Sequence, residues 1–213
     1  MYKRLIVMDI DSTLINEEVI DLLGEEAGVG EQVAEVTERA MRGELDFKQA
    51  LEERVALLAG LDEEVFERTF ARVTFTPGAL DLIAGAHARG WKVGVVSGGF
   101  HEVADRIVEA AGIDFCLANR LEVADGKLTG KLASDIVTKE SKLIKLLDWA
   151  VECGVDMMHT VAIGDGANDI PMIQAAGTGI AFCAKPKTRE AAPYHIDERD
   201  LMKVFDILDA QER

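Results

Sequence analysis

The sequence predicts an α/β fold built on a parallel sheet, and three observations carry the prediction. Short apolar runs recur along the chain, and several end in polar or glycine-rich loops. Amphipathic helical stretches lie between them, with glycines as stops. Residues 15–75 alone break the alternation, with helix following helix and no strand run between. Strands that alternate with helices fit a parallel sheet covered on both faces, and function in such folds gathers at the carboxyl ends of the strands.

Leu5-Ile6-Val7-Met8 is the first run, continuous and apolar as in a strand buried on both faces. Four helical stretches follow: Val19 to Leu23, Val33 to Met41, Phe47 to Leu58 and Val65 to Val73. The turn signal Thr76-Pro77-Gly78 closes them. The chain is thus expected to divide into an α/β core, residues 1–14 and 76–213, and a helical cap inserted at 15–75.

Val93 to Val96 predicts the next strand. The helix after it carries the stripe Phe100, Val103, Ala104, Ile107, Val108 and Ala111, and Gly112 stops it. Asp125-Gly126, between two short alternating runs, reads as a β-hairpin turn within a small insertion at 119–134. Leu143, Leu146, Leu147, Ala150 and Val151 mark a helix over 142–152, stopped by Gly154. Thr160 to Ile163 and Gly179 to Phe182 are the last strand runs, and Gln211-Glu212-Arg213 is expected to fray.

Composition bounds the function. The 39 acidic and 23 basic residues leave a net charge of −16, which repels nucleic acid and anionic membranes. It repels an anionic substrate too, so a phosphate site here must contain its own positive charge. Cys116, Cys153 and Cys183 are scattered among apolar neighbours, which suits reduced, mostly buried thiols and not a disulfide framework or a zinc site. No apolar run reaches the roughly 18 residues that span a membrane. Met1-Tyr2-Lys3-Arg4 precedes a run too short for a signal peptide, so a cytoplasmic protein is expected.

Four polar segments stand where chemistry is expected. Asp9 and Asp11 follow the first strand, two residues apart and therefore on one face, roughly 6–7 Å apart along the backbone. That gap suits a phosphoryl group and a magnesium ion with its hard oxygen ligands, although an isolated D-x-D also reads as two solvated acids. Ser97-Gly98-Gly99 ends the second strand run, where small residues let backbone N–H groups approach a phosphate or simply allow a tight turn. Gly164-Asp165-Gly166-Ala167-Asn168-Asp169 is acidic, as the second half of a metal site would be. Lys142 is a surface lysine if taken alone, and a fixed cation if a phosphate lies near.

In this order the segments resemble the haloacid dehalogenase phosphatases over nearly the whole chain, which implies a Rossmann-like core. The resemblance narrows to capped members that act on O-phosphoserine. It rests on Asp9 to Leu14, Val95 to Phe100, Ala118 to Leu121, Gly164 to Asp169 and Ala181 to Pro186. It implies that Asp9 is the nucleophile and Asp11 the general acid and base. It further implies magnesium held by Asp9, the Asp11 carbonyl and Asp165, with Asp169 orienting that set. Ser97, Gly98 and Lys142, beside Gly99, are implied to stabilise the transferring phosphoryl group, with Asn168 contacting phosphate or substrate.

Glu18 matches the family's acid for a substrate ammonium, and Met41 and Phe47 its apolar lid. Arg54 interrupts the stripe Phe47, Ala50, Leu51, Val55 and Leu58, so it serves either an internal ion pair or a substrate carboxylate. The resemblance also implies a monomer or homodimer without the regulatory N-terminal domain of some relatives. Two other readings remain at this point: a phosphatase or phosphotransferase for another small metabolite, and a receiver-type module that keeps its phosphate as a signal.

Overall fold

The computed structural model describes residues 3–211. In chain order it contains β1 (Leu5–Met8), α1 (Val19–Glu26), α2 (Gly30–Met41), α3 (Phe47–Ala56), α4 (Val65–Phe70), α5 (Ala79–Ala88) and β2 (Lys92–Phe100). Then come α6 (His101–Ala111), β3 (Phe115–Asn119), β4 (Leu121–Ala124), β5 (Lys127–Leu132) and α7 (Lys139–Cys153). The chain closes with β6 (Thr160–Gly164), α8 (Ile170–Ala175), β7 (Thr178–Phe182), α9 (Pro186–Ala191), β8 (Tyr194–Ile196) and α10 (Lys203–Gln211).

Six strands form one parallel sheet in the order β3-β2-β1-β6-β7-β8. β1 lies inside it, pairing Met8 with Val95 of β2 on one side and with Ile163 of β6 on the other. Its four side chains are fully buried, as a strand covered on both faces requires. Ile6 and Met8 join the core shared with α5, α6 and α10, while Leu5 and Val7 pack with Leu146 and Trp149 of α7 and Met172 of α8. Burying each such side chain stabilises the fold by about 1.5–3 kcal/mol, enough to fix where β1 ends and its acids begin. The loops after β1, β2 and β6 thereby leave the same sheet edge side by side.

The insert forms its four helices, α1 to α4, and its core continues that of α5 and α6 through Leu23, Val33, Leu51, Val55 and Phe66. Asp46 caps α3 with a capping box to Gln49, which fixes where that helix starts. Two paired strands of linker lead in and out: the Thr76 N–H donates to the Leu14 carbonyl at 2.9 Å, and the Asn16 N–H to the Thr74 carbonyl at 3.0 Å. Arg199 clamps the first linker, donating to the carbonyls of Ser12 and Ile15 at 3.2 and 3.0 Å. β4 and β5 form the expected hairpin, turning through Asp125 and Gly126, both with positive φ as a tight hairpin turn needs. The hairpin also grips the insert, exchanging backbone hydrogen bonds of 2.8 Å between Gly60, Leu61 and Leu128.

Several expectations need correction. β2 runs on through Ser97-Gly98-Gly99 to Phe100, so Phe100 ends a strand and α6 begins at His101. The register shift between Val96 and Phe100 accounts for this, a bulge that glycines permit. α7 starts three residues earlier than expected, capped by Thr138 and Ser141. Gln211 ends α10 and accepts from the Thr178 hydroxyl at 3.0 Å, while Glu212 and Arg213 lie outside the described residues, as do Met1 and Tyr2. All three thiols are unpaired, but only Cys153 is buried and the other two are half-buried. No described helix is long and apolar enough to cross a membrane.

Candidate active site

The chain turns sharply after β1, because Ser12 adopts a left-handed φ of 56°. Asp9 stays at the strand end, Ile10 packs inward at 1% exposure, and Asp11 turns outward into a cavity. The Asp9 Oδ1 accepts from the Ile10 N–H at 2.8 Å, and its Oδ2 lies 2.8 Å from Lys142 Nζ. The same ammonium donates to Asp169 Oδ1 at 2.7 Å. Asp169 Oδ2 accepts from the Gly166 N–H at 3.0 Å, so both of its oxygens are held. Gly164 makes room for that carboxyl, since a Cβ there would stand 2.4 Å from it.

Oxygens of Asp9, Asp165 and Asp169 approach within 4.8 Å of one another. Three hard carboxylates at one point fit a small divalent cation, and such a charge offsets their mutual repulsion. Asp11 stands apart from that trio. Its carboxylate accepts from the Val19 N–H at 3.1 Å, and the Ser97 Oγ lies 3.4 Å away. The Gly99 N–H donates to Ser97 Oγ at 2.8 Å, and a Cβ on Gly99 would meet Asp11 Oδ2 at 2.9 Å. A side chain at Gly99 would therefore press on Asp11 and Ser97.

A cavity of about 140 Å³ opens onto these groups. Asp9, Asp11, Asp165, Gly98, Gly99 and Asn168 line it from the core. Glu18, Phe47 and Arg54 line it from the insert, and Glu18 accepts from the Ser12 hydroxyl at 2.7 Å. A methyl on Gly98 would come within 3.7 Å of Phe47 Cζ, so the ring tip closes over the glycine loop. Arg54 Nε donates to the Ala50 carbonyl at 3.1 Å, and Arg54 forms no ion pair among the described residues. The internal ion pair that its place on an apolar stripe allowed is thus not made. Ser97, Lys142 and Asp169 lie behind the wall, each nearly inaccessible to solvent.

Met41 is not brought to the site. It ends α2 at 79% exposure and lines no part of the cavity, because α2 buries only Val33 and Val36 and its last turn projects into solvent. Leu51 and Ile20 supply the apolar wall in its place. Sequence reasoning also left Asn119 and Lys185 without roles. Asn119 is fully buried, donates to the Gly98 carbonyl at 2.8 Å and accepts from the Val137 N–H at 2.8 Å, which pins the glycine loop. The segment Ala118 to Leu121 was the available signal, since an asparagine side chain can serve a backbone carbonyl and a backbone N–H at once.

Burial and then the Glu18 charge push the Asp11 carboxyl up to about 7. Burial and then Asp169 push Asp165 up to about 6. Asp9 is raised as well, by burial and then by Asp169, with Lys142 opposing. Burial alone would discharge Lys142, but Asp169 and Asp9 outweigh it and keep it cationic. A carboxyl raised in the folded state takes up its proton there first, so folding stability rises as pH falls through 7 and 6. The metal-free protein should therefore melt several degrees higher near about pH 5.5 than near about pH 8. A saturating divalent cation should flatten the slope, and a flat metal-free profile in scanning calorimetry would count against these raised carboxyls.

A family model described as haloacid dehalogenase-like hydrolase matches residues 6–174. A phosphoserine phosphatase of Streptococcus thermophilus is 63% identical over 207 residues, covering 97% of this chain and 96% of its own. A solved phosphoserine phosphatase, described as a phospho-aspartyl intermediate analogue, superposes with a TM-score of 0.90 at 45% identity, covering 97% of this chain and 99% of its own. A substrate-bound phosphoserine phosphatase complex superposes equally well, with a TM-score of 0.90 at 44% identity and the same coverage of both chains.

Proposed function

Because this chain belongs to the haloacid dehalogenase-like hydrolases, we propose that it hydrolyses O-phospho-L-serine to L-serine and phosphate through an aspartyl-phosphate on Asp9. The observation that carries the choice of substrate is the unpaired Arg54, which lines one cavity with Glu18, Asp9 and Asp11. A planar guanidinium fits a carboxylate, an acid fits an ammonium, and phosphoserine offers both beside its phosphate. The names and near-complete coverage of the relatives support the same choice.

In this reading Asp9 attacks phosphorus while Lys142 holds its carboxylate in line. Asp11 protonates the departing serine oxygen, a task suited to a carboxyl raised to about 7. Serine leaves, and Asp11, now ionised, takes a proton from the water that cleaves the acyl phosphate. Asp9 is then free again and inorganic phosphate is released. The Gly98 N–H and Asn168 serve the phosphoryl oxygens from the cavity wall, and Ser97, behind that wall, holds Asp11 through its hydroxyl. Magnesium, which would be held by the Asp9 and Asp165 carboxylates and the Asp11 carbonyl with Asp169 orienting that set, would neutralise phosphoryl charge when bound. Residues 15–75 act as the substrate-selecting cap over a core of residues 1–14 and 76–213. A cytoplasmic setting belongs to the same reading, since the three unpaired thiols suit a reducing compartment.

Arg54→Ala tests the substrate. Losing a charged contact to the carboxylate should cost about 2–5 kcal/mol, or roughly 30-fold to several-thousand-fold in kcat/KM for phosphoserine. An aryl phosphate never makes that contact and should change by no more than about threefold. Equal losses on both substrates would make Arg54 a structural residue and remove the case for serine.

A further inference from the structure

We propose that Lys185 is a second phosphate-positioning cation, which meets the phosphoryl dianion as substrate enters and inorganic phosphate leaves. The inference rests on the phosphatase reading of the cavity but not on serine as the leaving group. Lys185 lies between β7 and α9, in the one motif, Ala181 to Pro186, to which no role has been given above. Its backbone N–H donates to the Asp165 carbonyl at 3.1 Å, and Pro186 begins α9 directly after it. The residue is thus tied to the loop that carries Asp165, and it lines the cavity while exposed to solvent.

Charge around the cavity explains why a cation is needed there. Asp9, Asp11, Glu18 and Asp165 all face the space, in a chain of net charge −16. Lys142 is committed to Asp9 and Asp169 behind the wall. Among the described residues the remaining basic groups of the lining are Arg54, on the insert, and Lys185, on the core. Lys185 forms no ion pair among the described residues. A flexible ammonium suits phosphoryl oxygens approaching from several directions, whereas the fork of Arg54 suits a planar carboxylate.

The test measures inorganic phosphate binding to the magnesium-loaded protein by calorimetry, beside KM for phosphoserine and for an aryl phosphate. Lys185→Gln should weaken phosphate and raise both KM values about tenfold, the scale of one charge-assisted hydrogen bond. It should also flatten the dependence of kcat/KM on ionic strength. Lys185→Arg should restore most of the loss. Lys203→Gln, on α10 and paired with Glu198, should change nothing, which separates a local effect from net charge. If Lys185 only shields Asp165, the Gln variant will bind magnesium more tightly and phosphate as well as wild type, and the proposal falls. A wild type that binds phosphate but leaves phosphoserine intact would refute the serine reading alone, with Lys185 still judged on phosphate affinity.

Discussion

Asp9→Asn is expected to lower turnover by about three orders of magnitude or more, because an amide oxygen cannot replace a carboxylate as nucleophile. The fold should survive the change. The Ile10 N–H, now 2.8 Å from Asp9 Oδ1, can donate equally well to an amide oxygen, and Lys142 keeps its 2.7 Å contact with Asp169. The measurements are single-turnover kinetics on phosphoserine and equilibrium unfolding of the same preparation. Trapping of a phosphoprotein in wild type but not in the variant would identify the attacked residue. Activity near wild type with an intact fold would remove Asp9 from the chemistry.

Lys142→Met should damage both activity and stability. The ammonium is 1% exposed and lies between two buried carboxylates, at 2.8 and 2.7 Å. Removing one partner of a buried ion pair typically costs about 3–5 kcal/mol, since the surviving charge keeps its desolvation penalty. Here two acids lose the same cation. Turnover should fall by about three orders of magnitude for phosphoserine and aryl phosphate alike, because both present one phosphoryl group. Added divalent metal should recover part of the stability by supplying positive charge to Asp9 and Asp169, but not the turnover. A variant as stable as wild type without metal would show that the trio is not held by its charges.

Much of this arrangement is written locally in the sequence. Leu5 to Met8 reads as a buried strand because all four residues are apolar and the next is an acid, and β1 has those bounds. The hairpin is readable because Asp125-Gly126 tolerates the left-handed backbone that its turn requires. β3 and β8 escape notice for a physical reason. They are edge strands, so Phe115, Cys116 and Leu117 are only half-buried and β8 has just three residues, one of them exposed. The bulge at Ser97 hides behind two glycines that look like the end of a strand.

At the site, the residues alone locate the acids, and the family resemblance divides their labour. The physical basis of that division for Asp165 and Asp169 is the turn at Gly166, which sends one toward the cavity and the other beneath it. Lys142 looks like one lysine of an amphipathic helix until the fold brings it to Asp9, far away in sequence. Met41 shows the opposite limit, since a matching residue on a helix can still point into solvent.

The interior position of β1 has a consequence for how the protein is made. β1 emerges from the ribosome before the rest of its sheet, and its partners are residues 92–95 and 160–163. While the helical insert is being synthesised, a strand of four apolar residues waits with both edges unpaired. Helices α1 to α4 can form from local contacts during that interval, but the sheet closes only when most of the chain has been translated. Nascent chains interrupted before residue 160 therefore expose an open edge beside Leu5 to Met8, the kind of surface that draws other strands into aggregates.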